Sequence, residues 1–233
     1  LVLTANITSP VDVGFILNGD LTIKSKDSTA YTLNISTDSV TATSGSSNNY
    51  NVVVYANADS KVTIDNAKVD ITNSANSTAV NTIFNNQYER VDLEVIVKNG
   101  ATLTLAQTGT PTSSGSAWLT YTGAIGTLTV DNATVTLDNI GSFQANVISV
   151  TNNATLDATM ESATLTSYLT VNNSKVIAND LGLYSANIVD SVITTTNLGI
   201  YSGSASGQTI NGLVAGTVSM SGDSFITATN IVN

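Results

Sequence analysis

The segment Leu128-Thr129-Val130-Asp131-Asn132-Ala133-Thr134-Val135 decides the fold, because it recurs. Val62-Thr63-Ile64-Asp65-Asn66-Ala67-Lys68-Val69 and Leu169-Thr170-Val171-Asn172-Asn173-Ser174-Lys175-Val176 repeat its order of apolar, polar, apolar, Asp or Asn, Asn, small, polar, apolar. Looser copies stand at 95–103, 148–156 and 218–225, with Gly100 and one of Asn152 or Asn153 as single-residue insertions. The apolar residue before the turn falls at Ile64, Val97, Val130, Val150, Val171 and Met220, at intervals of 33, 33, 20, 21 and 49 residues. A shortened copy, Ile188-Val189-Asp190-Ser191-Val192-Ile193, divides the last interval in two. A period of about 20 residues, lengthened in places by loops, is the period of one solenoid coil.

Within each copy the alternation has a period of two, so apolar side chains point inward and Thr, Ser, Asp or Lys outward. Each copy therefore reads as a short strand, a sharp corner and a second strand. The corner needs a residue that tolerates the left-handed region, and Asn does so better than any residue but Gly. Asn66, Asn99, Asn132 and Asn173 occupy it, and their amides are expected to bond in a ladder from coil to coil. The expected architecture is all-β: a single right-handed parallel β-helix spanning 1–233, of about ten coils and three parallel sheets, with an Asn-rich turn ladder. The 33-residue intervals alone would suit ankyrin repeats, but those need helices and a Thr-Pro-Leu-His motif that this sequence lacks.

The Asn corners, together with Leu3-Thr4-Ala5-Asn6-Ile7-Thr8, the stretch Phe15 to Ile23 and Asn99-Gly100-Ala101-Thr102-Leu103-Thr104-Leu105, resemble the pectate-lyase-like right-handed parallel β-helix. These stretches also look like the coils of bacterial surface adhesins, both autotransporter passengers and Gram-positive adhesive β-helix domains. That resemblance implies a noncatalytic extracellular or cell-surface segment of a longer protein, since the chain opens at Leu1 without an initiating Met. It also implies two alternatives: a glycoside hydrolase or polysaccharide lyase of the same fold, and a segment of a phage-type spike.

Composition narrows the chemistry. Charged residues make up 10% of the chain against a typical quarter, while 36 Thr, 27 Ser and 27 Asn supply strand and turn formers in place of helix formers. His and Cys are absent, which excludes imidazole bases, thiol nucleophiles, zinc fingers and disulfides. A net charge of −10 repels phosphate backbones, so nucleic acid is not an expected partner. No run of about 18 apolar residues exists, so no membrane insertion is expected. The reading calls for no cofactor and no metal, favours a monomer, and assigns a glycan or a host or matrix protein as partner.

Two sets of residues stand out as candidate sites. On the strand around Arg90 to Lys98, Val91, Leu93, Val95 and Val97 face in, leaving Asp92 and Glu94 outside. They stand about 6–7 Å apart, two strand rises, within the range of glycosidase carboxylate pairs. They are the catalytic candidates if the protein is an enzyme. For binding, specificity belongs where the repeat is interrupted, and the stretches 73–89 and 106–117, together with 42–51 and 202–212, read as loops. Tyr88, Trp118 and Tyr121 border the first two of these and are the expected contacts with a glycan or protein. The pair Leu183-Tyr184-Ser185 and Ile200-Tyr201-Ser202 suggests a further aromatic platform. Asp65, Lys98 and Asp131 share one repeat position and are expected to form a column of exposed ion pairs, worth about 0–1 kcal/mol each. Outward Thr63, Thr129 and Thr170, with Ser149 and Ser219, form a row that Ile96 and Ile188 are expected to interrupt.

Overall fold

The structure, a computed structural model, describes residues 1–9, 15–37, 41–43, 49–56, 58–74, 80–86, 92–108, 125–138, 142–159, 164–200, 209–210, 213–214 and 216–232. Among these every regular element is a strand. The parallel sheet winds 324° around one axis, as a β-helix requires.

The first face of the solenoid consists of the strands before the corner. Val2–Leu3, Leu21–Ser25, Ser60–Asp65, Leu93–Lys98 and Ile125–Asp131 stack in that order, all parallel. The last residues of Ser142–Thr151, Thr164–Asn172 and Lys175–Val189 continue the stack, and Thr217–Ser221 completes it. The second face holds the strands after the corner, from Ile7–Thr8 and Thr32–Thr37 through Lys68–Asn73, Thr102–Gln107, Thr134–Asp138, Thr155–Ala158 and the first residues of Lys175–Val189 and Val192–Ile200 to Phe225–Val232. Each of the two faces thus has nine described rungs. The third face is a separate sheet near the N-terminal end, where Phe15–Leu17, Asn49–Ala56 and Val80–Asn86 are parallel and Thr41–Thr43 adds an antiparallel strand. Farther along it is formed by 142–144, 164–166, 180–183, 197–200 and 230–232, which run into the other faces without a break. One strand, Lys175–Val189, crosses all three faces and makes a whole 17-residue coil with its corner, as the step from Val171 to Ile188 requires.

Burial follows the alternation. The column Ile23, Ile64, Val97, Val130, Val150, Val171, Ile188 is in register from coil to coil and shut off from solvent. On the second face Leu33, Val69, Leu103, Val135, Leu156, Val176 and Ile193 do the same. Each inner side chain therefore packs against its own equivalents above and below, the arrangement by which repeats bury a continuous core. The small residue after the corner, at Ala67, Ala101, Ala133 and Ala154, is also buried, because a larger side chain would not fit where two faces meet.

Three expectations need correction. Val80–Asn86 lies inside the stretch read as the loop 73–89, and Asn49–Ala56 begins inside 42–51. Both are rungs of the third face, whose Asn and Thr content imitates a loop. In 202–212, Thr209–Ile210 pairs antiparallel with Leu213–Val214, a small excursion from the coil. Ile188 does not interrupt the outward Thr row: Asn187 pairs with Thr170 and Ser219 there, and Ile188 is fully buried.

Candidate functional site

The corner between the first and second faces carries the most polar chemistry. Asn66, Asn99, Asn132 and Asn173 all have φ between +46° and +57°, and Asn152, Asn153 and Asp190 share the left-handed conformation. Where the corner is one residue longer, both residues adopt it, as Asn99-Gly100 and Asn152-Asn153 do. This backbone turns the corner N–H groups along the solenoid axis. Asn66, Asn99, Asn132 and Asn173 donate from the main chain to the carbonyls of Lys98, Asp131, Thr151 and Val189 on the following coil, at 2.9–3.2 Å. The side chains reach the other way. Asn66 Nδ2 donates to the Asp27 carbonyl, Asn99 Nδ2 to Asp65 Oδ1 and Asn152 Nδ2 to Asp131 Oδ1. Among the described residues, only Asn173, whose Nδ2 donates to Asn153 Oδ1 at 3.2 Å, makes the amide-to-amide link expected of a ladder at this corner. At Asn99 and Asn152 a carboxylate on the preceding coil captures the amide, since an ionised acceptor gives the stronger bond.

A second series escaped the sequence reading. From the seventh rung the small corner residue becomes Ser174, Ser191 and Ser224, and their hydroxyls accept the main-chain N–H of Ala154, Ser174 and Ser191 in turn. Its signal was the change from Ala to Ser at one repeat position. On the third face, Asn197 Nδ2 bonds Asp180 Oδ1 and Asn230 Nδ2 bonds Asn197 Oδ1, a side-chain ladder that the corner motif does not mark.

The carboxylate pair stands where the alternation put it. Leu93, Val95 and Val97 are buried, Asp92 is exposed and Glu94 is half-buried on the outer side. The surroundings were not foreseen. Glu94 Oε2 lies 2.9 Å from Lys61 Nζ on the preceding coil, and the Asp92 main-chain N–H donates to Asp59 Oδ1 at 2.9 Å. Lys61 has its pKa raised, first by the hydrogen bond it donates to Glu94 and then by that carboxylate's charge; desolvation lowers it, and Asp20 adds a further rise. The 33-residue interval was the available signal, because Lys61 and Glu94 are one interval apart. In the neighbouring column Lys98 pairs with Asp65 at 3.7 Å, while Asp131 accepts from Thr151 and Asn152. The column is thus one ion pair followed by a hydrogen-bonded carboxylate.

Tyr88, Trp118 and Tyr121 lie outside the described residues, as does Tyr201. Tyr184 is partly buried, with its ring centroid 5.6 Å from that of the buried Tyr168 on the preceding coil. It packs as a core-edge pair and is not an open platform. Among the described residues no group of three or more Asp, Glu, His or Cys is placed to hold a metal, and no helix is long and apolar enough to cross a membrane.

Comparison with known proteins finds no matching family model, no similar curated protein and no similar solved structure. The β-helix assignment therefore stands on the register and burial of this chain.

Proposed function

We propose that this chain is a noncatalytic extracellular β-solenoid that serves in adhesion or as a surface stalk and binds a glycan or a host or matrix protein. The observation that carries the reading is the condition of the one carboxylate pair that suggested an enzyme. A glycosidase acid is tuned by an apolar pocket, whereas Glu94 stands on an open face beside an ammonium and Asp92 is exposed. The lyase route is poorly supplied as well, because the seven basic residues are scattered and two of them are engaged in ion pairs. The outer rows of Thr, Ser, Asn and Asp suit a solvated exterior, and the sequence resemblance to adhesive β-helices agrees with them.

The test is a screen of the 233-residue chain on glycan and matrix-protein arrays, run beside an assay for reducing ends and unsaturated products on neutral and acidic glycans. Binding without product release is expected, and Asp92→Asn should leave binding unchanged. Product release that Asp92→Asn abolishes would replace the adhesin reading with a carbohydrate-active enzyme. A closed trimer of fixed mass in sedimentation would replace it with a spike segment.

A further inference from the structure

The charges on the first face alternate in two directions. Along the axis, the column beside the corner runs Lys24, Asp65, Lys98, Asp131 in register, so its sign changes at every rung. The column on the other edge carries the opposite signs: Asp20 accepts the main-chain N–H of Lys61, and Lys61 is in register with Glu94. Three successive rungs therefore hold one acid and one lysine each, as Asp20 and Lys24, Lys61 and Asp65, Glu94 and Lys98. The later strands of this face, from 147–151 to Thr217–Ser221, carry no charged side chain.

Between the two charged columns runs the outward row from Thr22 to Ser219, eight residues in register. Its one aliphatic member, Ile96, is half-buried where the others are Thr, Ser or Asn. A half-turn about a line along this row lays the face on a copy of itself. Each residue of the row then meets its own counterpart, and the two edge columns exchange places. Asp20 faces Lys24, Lys61 faces Asp65 and Glu94 faces Lys98 across the contact, with Ile96 on Ile96 between them. Lys61 and Lys98 already have Glu94 and Asp65 beside them in their own chain, so each gains a second carboxylate from the copy. Asp131 meets Thr127 there and keeps its bonds from Thr151 and Asn152. A half-turn about a line along the strands also matches the signs, but it sets Ile96 against the hydroxyl-bearing Thr63. Eight rungs about 4.8 Å apart and five residues per strand give a face of about 38 Å by 16 Å. Contact over that face buries about 1,200 Å² counted on both copies, the lower bound of specific interfaces. An aliphatic centre between polar edges is the usual anatomy of such a contact, and complementary charge fixes its register.

We propose that two copies of this chain pair side by side through the first face, with their axes parallel, about a two-fold axis along the row from Thr22 to Ser219. The contact is isologous and closes on itself, so it makes a dimer. It uses the side of the solenoid and not its ends. It does not depend on the adhesin reading, and it departs from the monomer favoured by sequence alone.

Because the protein has no Cys, a single introduced thiol reports the register. Thr22→Cys and Thr129→Cys are made as separate variants and treated with a bismaleimide about 10 Å long, the spacing of sheets packed face to face. Neither side chain is buried, so neither change should disturb folding. Each variant alone should give a covalent dimer, because each position meets its own counterpart. Linkage only when the two variants are mixed would show the opposed orientation and overturn the proposal. In sedimentation velocity at low salt the unsubstituted chain should reach a dimer and go no further, and added salt should return it to monomer. Ile96→Lys sets two ammonium groups against each other on the axis. Checked for retained β structure by circular dichroism, it should be monomeric at concentrations where the unsubstituted chain is dimeric. An unsubstituted chain that stays monomeric or grows beyond a dimer, or a folded Ile96→Lys variant that pairs equally well, would also overturn it.

Discussion

The left-handed corner is where single residues matter most. Among the described residues, six Asn and Asp190 hold a positive φ, and all seven stand at the same corner. An L-residue in this region loses roughly 1–2 kcal/mol to the clash of its Cβ with the following carbonyl, and short polar side chains offset part of that by local hydrogen bonds. The conformation is kept because it aims a main-chain N–H at the next coil. Asn132 isolates the effect, since its main chain makes the link to Thr151. We expect Asn132→Ala to destabilise the chain by about 1–2 kcal/mol and Asn132→Gly by less, because Gly occupies the region without a Cβ. Urea midpoints at fixed pH measure both, and equal losses would show that the conformation is not what selects Asn. Gly222 occupies the same corner in the last coil at φ +64°. There a Cβ would come within 1.9 Å of Asp190 Oδ1, an atom already engaged by the N–H of Asp223.

At the scale of a strand, stability comes from column neighbours. Leu169 is fully buried between Ile148 and Ala186, so Leu169→Ala opens a cavity that rigid neighbours on both sides cannot fill. A loss of about 2–5 kcal/mol is expected. Met220, at the end of its column and half exposed, should lose much less on truncation to Ala. Similar losses at the two sites in denaturant titrations would contradict column stacking. The outer ion pair acts differently. Because Glu94 raises the pKa of Lys61, the pair's contribution is fully present below the unfolded lysine value of about 10.4 and is lost as pH rises through the folded value. The difference in urea midpoint between the unsubstituted chain and Lys61→Met should therefore be seen at neutral pH, shrink with salt and vanish in strongly alkaline buffer. These strands were legible in the sequence because a two-residue alternation closed by an Asn corner is a dense signal. Val80–Asn86 was not, because Asn81, Thr82, Asn85 and Asn86 dilute its apolar positions to the composition of a loop. The phase of Ile188 was misread because the apolar Val189 stands where the other copies have a polar residue, and its coil is only 17 residues long.

For the whole molecule, what the sequence hid is what depends on register. Lys61 beside Glu94, Asn99 on Asp65 and Asn197 between Asp180 and Asn230 join residues 17 to 34 positions apart, and each partner is fixed only once the coils are aligned. The candidate site was legible as two exposed carboxylates but not as a carboxylate held by a lysine. The same dependence on neighbours governs how the molecule opens. In a solenoid each coil is held by the coils on either side, so stability is close to a sum of local terms and nearest-neighbour interfaces. Coils between Leu93–Lys98 and Thr164–Asn172 have buried columns on both sides. Among the described residues, Thr217–Ser221 and Phe225–Val232 each pair with a rung on one side only, and Met220, Phe225 and Ile231 are open to solvent. Opening these strands breaks one interface and exposes little new apolar surface, whereas opening a central coil breaks two. Amide hydrogen exchange in dilute solution should therefore show a gradient, slowest at Val97, Val130, Val150 and Val171 and fastest across 217–232, with local opening free energies below the global value at that end. A profile equally protected along the whole axis at low concentration would mean that the chain opens as a single cooperative unit and that nearest-neighbour stacking does not set its stability.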